Sequence, residues 1–164
     1  MNIKKSLRHI LNFMIGIEYS VIILLICLTL VPRIFGIEPR IVQSGSMVPA
    51  YNVNDIVYIN HHYTFNQMKI GDVVAFTVPD QTMVMHRVTD INEENFITKG
   101  DANQKKDAPI SKNNLIGEVI WDVPFIGYFI NCFKNIGFLL ITCLIILIQN
   151  IAKNLLKEEL DSDK

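Results

Sequence analysis

Two apolar runs bracket this chain, and a stretch that alternates between hydrophobic and polar residues separates them. From Tyr19 to Val31 the sequence YSVIILLICLTLV carries no charge. With Phe13 to Glu18 upstream it approaches the ~20 residues needed to cross hydrocarbon. Glu18 interrupts this run at a place where a carboxylate near the headgroups is tolerable. The second run, GFLLITCLIILI from Gly137 to Ile148, extends forward to Ile151 and back toward Phe129, with Lys134 placed to snorkel to an interface. The pattern predicts a transmembrane anchor over residues 13–35 and a second transmembrane helix over 128–151.

The middle, residues 36–127, has the period of two that marks strands. NDIVYIN (Asn54–Asn60) alternates, and GDVVAFTV (Gly71–Val78), TMVMHRVTDI (Thr82–Ile91), NFITKG (Asn95–Gly100) and NLIGEVIWDV (Asn114–Val123) follow. Turn signals such as VPDQ and NEEN separate them, and no 3.6-residue period competes. The expected fold is a compact, mostly antiparallel β domain flanked by two transmembrane α-helices, with loops supplying any chemistry.

Length and charge then orient the chain. Its 164 residues suffice for one domain, and half of them are hydrophobic. Lys4, Lys5 and Arg8 precede the first span unopposed by any acid before Glu18, which favours a cytoplasmic N-terminal segment over 1–12. The span ends in LVPRIF, without the alternating small residues of a cleavage site, so it reads as an uncleaved anchor. The β domain then lies on the exocytoplasmic side, and residues 152–164 return to the cytoplasm as a tail. A net charge of −1 offers no electrostatic case for nucleic acid. Cys27 and Cys143 fall within the spans and Cys132 beside one, which argues against a disulfide framework.

Candidate chemistry begins just beyond the anchor, at Ser44-Gly45-Ser46-Met47-Val48-Pro49. Gly45 permits a tight turn and Pro49 fixes its exit. A serine hydroxyl needs a base, so Ser46 taken alone is an ordinary turn serine. Of the four histidines, His9 belongs to the basic N-terminal segment and His61-His62 to a polar turn where solvated surface is the simplest reading. That pair lacks partners at metal-ligand spacing. His86 sits inside MVMHRV, flanked by apolar residues, and must face something specific; without a partner it is a satisfied core histidine. The loop TKGDANQKKDAP carries two carboxylates, Asp101 and Asp107, and a lone Asp in such a loop usually caps a turn. Ser, His and Asp from separate segments can form a triad, because geometry and not sequence distance defines one.

Taken together, Ser44-Gly45-Ser46-Met47-Val48-Pro49, His86-Arg87-Val88 and Gly100-Asp101-Ala102-Asn103 with Asp107 resemble the type I signal peptidases of the endoplasmic-reticulum type, a Ser-His-Asp branch found also in archaea and spore-forming bacteria (the SipW-like enzymes). The resemblance covers Arg40 to Pro124. It departs from the family at Ala102, where relatives often carry Asn, and at Asn60-His61-His62. It implies a membrane-bound serine endopeptidase that removes N-terminal signal peptides after small, Ala-x-Ala-like residues, without metal or organic cofactor. Ser46 would be the nucleophile, His86 the general base and Asp107 its partner. Asp101 would support the loop, accepting backbone N–H bonds of the turn that includes Asn103, and Ser44 would assist the oxyanion. Met47 and other apolar residues would rest on the membrane face. The implied partners are signal peptides of preproteins and the lipid bilayer, with the secretion translocon as a further candidate. An alternative of a different class is a catalytically silent, membrane-tethered binding or assembly module of the same fold.

Overall fold

The computed structural model describes residues 2–162 and resolves into two compact units, one from Leu28 to Phe129 and one built from the chain up to Cys27 and from Ile130 onward. In the first unit seven strands form a curled sheet: β1 (Ile37–Ile41), β2 (Ile56–Asn60), β3 (Val73–Thr77), β4 (Met83–Ile91), β5 (Asn95–Lys99), β6 (Ile110–Ser111) and β7 (Leu115–Val123). Their order across the sheet is β1-β2-β7-β3-β4-β5-β6, and every pairing is antiparallel. The expected β fold is therefore present, and β2, β3, β4, β5 and β7 fall within the five runs read from the sequence.

Interior strands depart from simple alternation. Ile56 to Ile59 on β2 and Val73 to Phe76 on β3 are buried without a break, because the curled sheet covers both of their faces. Val73 and Ala75 pack with Val42, Met47, Val57, Ile59 and Val119 on one side. Val74 and Phe76 pack with Met68, Val88, Phe96 and Ile110 on the other, where the Phe76 and Phe96 rings meet edge to face at 5.8 Å. Two strands escaped the pattern. β1 is an edge strand carrying Glu38, Pro39 and Arg40, residues that an edge tolerates because one side makes no ladder bonds. β6 is only two residues long.

Asp55 ties the beginning of this unit to its end. It is 2% exposed, and its carboxylate accepts the backbone N–H of Asn52 at 2.7 Å and of Phe125 at 3.1 Å. Main-chain bonds reinforce the corner: Val42 N–H donates to Asp55 O at 2.9 Å, and Gly127 N–H donates to Asn54 O at 2.9 Å. Gly127 is required there, since a Cβ would stand 2.4 Å from the Asn54 oxygen.

The helices are α1 (Asn2–Ile34), α2 (Ile126–Lys134) and α3 (Ile136–Ser162). Ile3–Ile34 and Ile136–Ser162 are long and apolar enough to cross a membrane. The second helix was expected to run unbroken from 128 to 151, but the chain breaks at Asn135. Its side-chain oxygen accepts the N–H of Gly137 at 2.9 Å and of Phe138 at 3.3 Å, which starts α3 afresh. Most of the expected C-terminal tail continues α3 as helix; Met1 and residues 163–164 of the expected termini lie outside the described residues. Within the helical unit, Gln149 donates to Glu18 at 2.9 Å and Lys4 pairs with Glu159 at 2.6 Å. Cys27, Cys132 and Cys143 are free thiols.

Replacing Asp55 with Ala leaves two N–H groups at a part-buried corner without their acceptor. Each such group costs about 1–3 kcal/mol, so chemical denaturation of Asp55→Ala should show a loss in that range or above. A variant as stable as the parent would mean that the corner does not hold the sheet's two ends.

Candidate active site

The turn after β1 presents Ser46 by burying its neighbour. Met47 is 1% exposed and packs beneath the turn with Val42, Val57 and Ile59. The expectation that Met47 rests on a membrane face is thus overturned. Its flexible thioether fills the space under an irregular turn, a role Met suits well. The main chain closes with Val48 N–H donating to Gly45 O at 3.1 Å and Tyr51 N–H to Met47 O at 2.9 Å. This leaves the hydroxyls of Ser44 and Ser46 outward and 3.3 Å apart, within hydrogen-bond reach of one another.

His86 comes from β4, directly opposite Val74 on β3, and is 7% exposed with its ring edge-on to Phe76. Its Nδ1 lies 2.6 Å from Asp107 Oδ2. Since an ionised carboxylate can only accept, Nδ1 carries the proton in this contact and Nε2 is left for the cleft. The same Asp107 oxygen accepts the Thr98 hydroxyl at 2.6 Å, and the Asp107 N–H donates to Thr98 O at 2.8 Å.

Asp101 has a different partner. Arg87 donates to it twice, Nε to Oδ1 at 2.9 Å and Nη2 to Oδ2 at 2.7 Å, and sends Nη1 to Gly71 O at 2.9 Å. The reading of Asp101 as an acceptor of backbone N–H groups near Asn103 is corrected. A guanidinium fork matches a carboxylate better than a turn does. That fork holds the Asp101 carboxyl below the usual carboxylate range and pushes the Arg87 guanidinium up. The turn around Asn103 uses main chain instead, Asn103 N–H donating to Gly100 O at 2.9 Å.

Gly100 lets this loop approach the serine turn. Ala102 N–H donates to Ser46 O at 2.9 Å, and a Cβ on Gly100 would stand 2.6 Å from that same oxygen. Ser44, Ser46, His86 and Asn103 then line one cleft of about 540 Å³, whose walls are mainly apolar and include Ile41, Val42, Met83 and Met85. Asp101 and Asp107 are not on that lining. His61, also outside it, lies 2.9 Å from Glu38, and the His62 ring covers Gly36. The sequence reading gave Arg87 and Asn103 no role of their own beyond the motifs and turn that contain them, and it passed over Thr98. Thr98 had a signal: a hydroxyl at the position that alternates with Phe96 on the inward face of a strand.

The depressed Asp101 carboxyl sets a pH signature. A lowered pKa contributes stability that is full above the unfolded value of about 3.9 and is lost as pH falls through the lower folded value. The difference in melting temperature between the parent and Asp101→Asn should therefore hold steady from neutral pH to about pH 5 and close below about pH 4. A difference that widened on acidification would contradict the Arg87 pairing as its source.

Known proteins carry comparable sequences. A family profile described as signal peptidase, peptidase S26, matches residues 16–107, more than half of the chain. Signal peptidase I W of Bacillus subtilis (strain 168) is 35% identical over 89 residues, covering 51% of this chain and 47% of that protein. The signal peptidase complex catalytic subunit SEC11 of Lodderomyces elongisporus is 32% identical over 102 residues, covering 54% of this chain and 60% of its own length. The corresponding subunit of Zygosaccharomyces rouxii is 32% identical over 103 residues, with the same coverage. The chain thus spans about half to three-fifths of the length of the curated relatives it matches. With a match that runs from within α1 through the serine turn to the carboxylate bound by His86, this chain belongs to the signal peptidase, peptidase S26, family.

Proposed function

We propose that this chain is a membrane-anchored serine endopeptidase that removes N-terminal signal peptides from secreted preproteins, cutting after small, Ala-x-Ala-like residues. One observation carries the reading: in a chain of this family, Ser46 lines the same cleft as His86, whose far nitrogen is bonded to Asp107 at 2.6 Å. The Ser46 hydroxyl lies 3.3 Å from that of Ser44. A hydrogen bond between a catalytic serine and its histidine commonly tightens only in the bound complex.

In the proposed reaction Ser46 Oγ attacks the scissile carbonyl carbon while His86 Nε2 takes its proton. Asp107 holds Nδ1–H and stabilises the imidazolium that forms. The backbone N–H of Ser46 and the Ser44 hydroxyl are the donors for the developing oxyanion, each such donor contributing about 3–4 kcal/mol in an enclosed site. His86 returns the proton to the leaving amine, and the C–N bond breaks to give an acyl-enzyme on Ser46. A water deprotonated by His86 then hydrolyses the ester and restores the serine.

The sheet offers a place for the substrate. Residues Met83 to His86 of β4 pair with β3 on one side, whereas β5 pairs with β4 only from Arg87 onward. That leaves an open strand edge along the cleft, to which the segment before the cut can add as a strand. Apolar walls at Ile41, Val42, Met83 and Met85 suit small apolar side chains. Two helices able to cross a membrane, and the basic residues Lys4, Lys5 and Arg8 ahead of the first, support a multi-pass arrangement with the β unit on the exocytoplasmic side. There the bilayer, the signal peptide and the secretion translocon would be its neighbours.

Co-expression with a secreted preprotein, read by substrate size, tests this against the catalytically silent module. Ser46→Ala should insert normally and leave the precursor uncut. Asp107→Asn should fold yet turn over about 10⁴-fold more slowly, as loss of the aspartate does in a triad. His86→Lys should not restore cleavage, because an ammonium on a longer stem does not occupy the position of the imidazole. Cleavage that survives Ser46→Ala in the purified protein would sink the serine mechanism. A parent that binds preprotein and never cuts it would favour the silent module.

A further inference from the structure

Thr98 is a fully buried polar side chain at 0% exposure, on an inward position of β5 that alternates with Phe96. Its cross-strand neighbour is Val88, itself part of the apolar cluster of Met68, Val74, Phe76, Phe96 and Ile110. A valine would fill this place without a polar atom to satisfy, so a hydroxyl here must be answered by a partner. The partner is Asp107 Oδ2, at 2.6 Å.

That oxygen is the one His86 Nδ1 reaches, also at 2.6 Å. A carboxylate oxygen has two lone-pair directions, so a hydroxyl occupying one leaves the other for the imidazole. Thr98 also takes the Asp107 backbone N–H at 2.8 Å. The same residue thus clamps Asp107 by main chain and by side chain. Such a clamp matters because Asp107 ends a loop without regular structure that contains the exposed Lys105 and Lys106. β5 is in turn paired with β4, which carries His86, so both ends of the His86–Asp107 contact are fixed to adjacent strands. The donor is neutral. A cation in the same place would compete with the imidazolium for the carboxylate, whereas a hydroxyl orients it without adding charge.

We infer that Thr98 is a positioning residue of the proposed reaction, acting through Asp107: its hydroxyl aims the carboxylate at His86 Nδ1. This rests on the reading of Ser46, His86 and Asp107 given above, and the experiment separates the two. The full chain, purified in detergent, is assayed on a preprotein for kcat and KM, with Thr98→Val, Thr98→Ser, Asp107→Asn, the Thr98→Val/Asp107→Asn double variant, and Ser46→Ala as blank. Thr98→Val keeps the volume and removes the donor, and loss of a hydrogen bond to a charged group should lower kcat by about 10- to 100-fold. KM and the melting temperature should stay at parental values, and Thr98→Ser should recover most of kcat. In the Asp107→Asn background Thr98→Val should cost less than about twofold, because the two residues act as one unit.

Full kcat in Thr98→Val, beside inactive Ser46→Ala and slow Asp107→Asn, would overturn the positioning role and leave the peptidase reading standing. Equal losses in Thr98→Val and Thr98→Ser, each with a lowered melting temperature, would reduce Thr98 to packing and overturn it too. A further full loss in the Asp107→Asn background would show that Thr98 acts elsewhere. Cleavage indifferent to Ser46→Ala would instead remove the underlying reading.

Discussion

The contact between the serine turn and the loop after β5 governs the site. It is a main-chain contact, Ala102 N–H to Ser46 O at 2.9 Å, and it exists only because Gly100 has no Cβ to stand 2.6 Å from that oxygen. Two segments far apart in sequence are thereby held at backbone precision, which side-chain contacts alone rarely supply. The packing of Met47 holds the turn from below, and the strand pairing of β5 holds the loop from its other end. Ser46, Asn103 and His86 share a cleft because these anchors share one sheet.

The two carboxylates of that loop show how neighbouring residues on a strand divide labour. His86 and Arg87 are adjacent on β4 and so point to opposite faces of the sheet. Asp101 and Asp107 follow them. Asp101 meets a permanently charged guanidinium in a two-pronged pair that also reaches Gly71, an arrangement suited to fixing the loop. Asp107 meets an imidazole, whose charge can come and go, and is steadied by a neutral hydroxyl. Exchanging the two partners would put a fixed cation against the carboxylate that the proposed chemistry needs for a transient one.

His86 lies one residue before the point where β4 passes from pairing with β3 to pairing with β5, the two ladders meeting at Arg87. From Arg87 onward it is paired with β5, and before that residue its outer edge is open along the cleft. A group at such a boundary is buried enough to be held, at 7% exposure, yet borders the space where an extended peptide can pair. The double-sided burial of β3 supplies the rigidity behind it, with Phe76 edge-on to the imidazole.

Much of this was legible in the residues themselves. Short runs of strand-forming residues bounded by turn signals located five of the seven strands, and longer uninterrupted apolar runs located both long helices. Motif resemblance named Ser46, His86, Asp101 and Asp107 from the order of short strings, which local chemistry constrains. What depended on partners distant in sequence was not legible. The edge strand β1 looks polar because only one side of it pairs, and Met47 looks like a surface anchor until the sheet closes beneath it. The Asn135 break interrupts a run that composition alone would carry through. The pairing of Asp101 with Arg87, and the use of Thr98, turn on which face of β4 and β5 each side chain takes. Hydrophobic period and motif order are properties of a few consecutive residues, so the sequence by itself determined the elements and the candidate chemistry. Hydrogen-bond partnership is a property of three-dimensional proximity, so only the tertiary structure decided that Arg87 holds Asp101 and that Thr98 steadies Asp107.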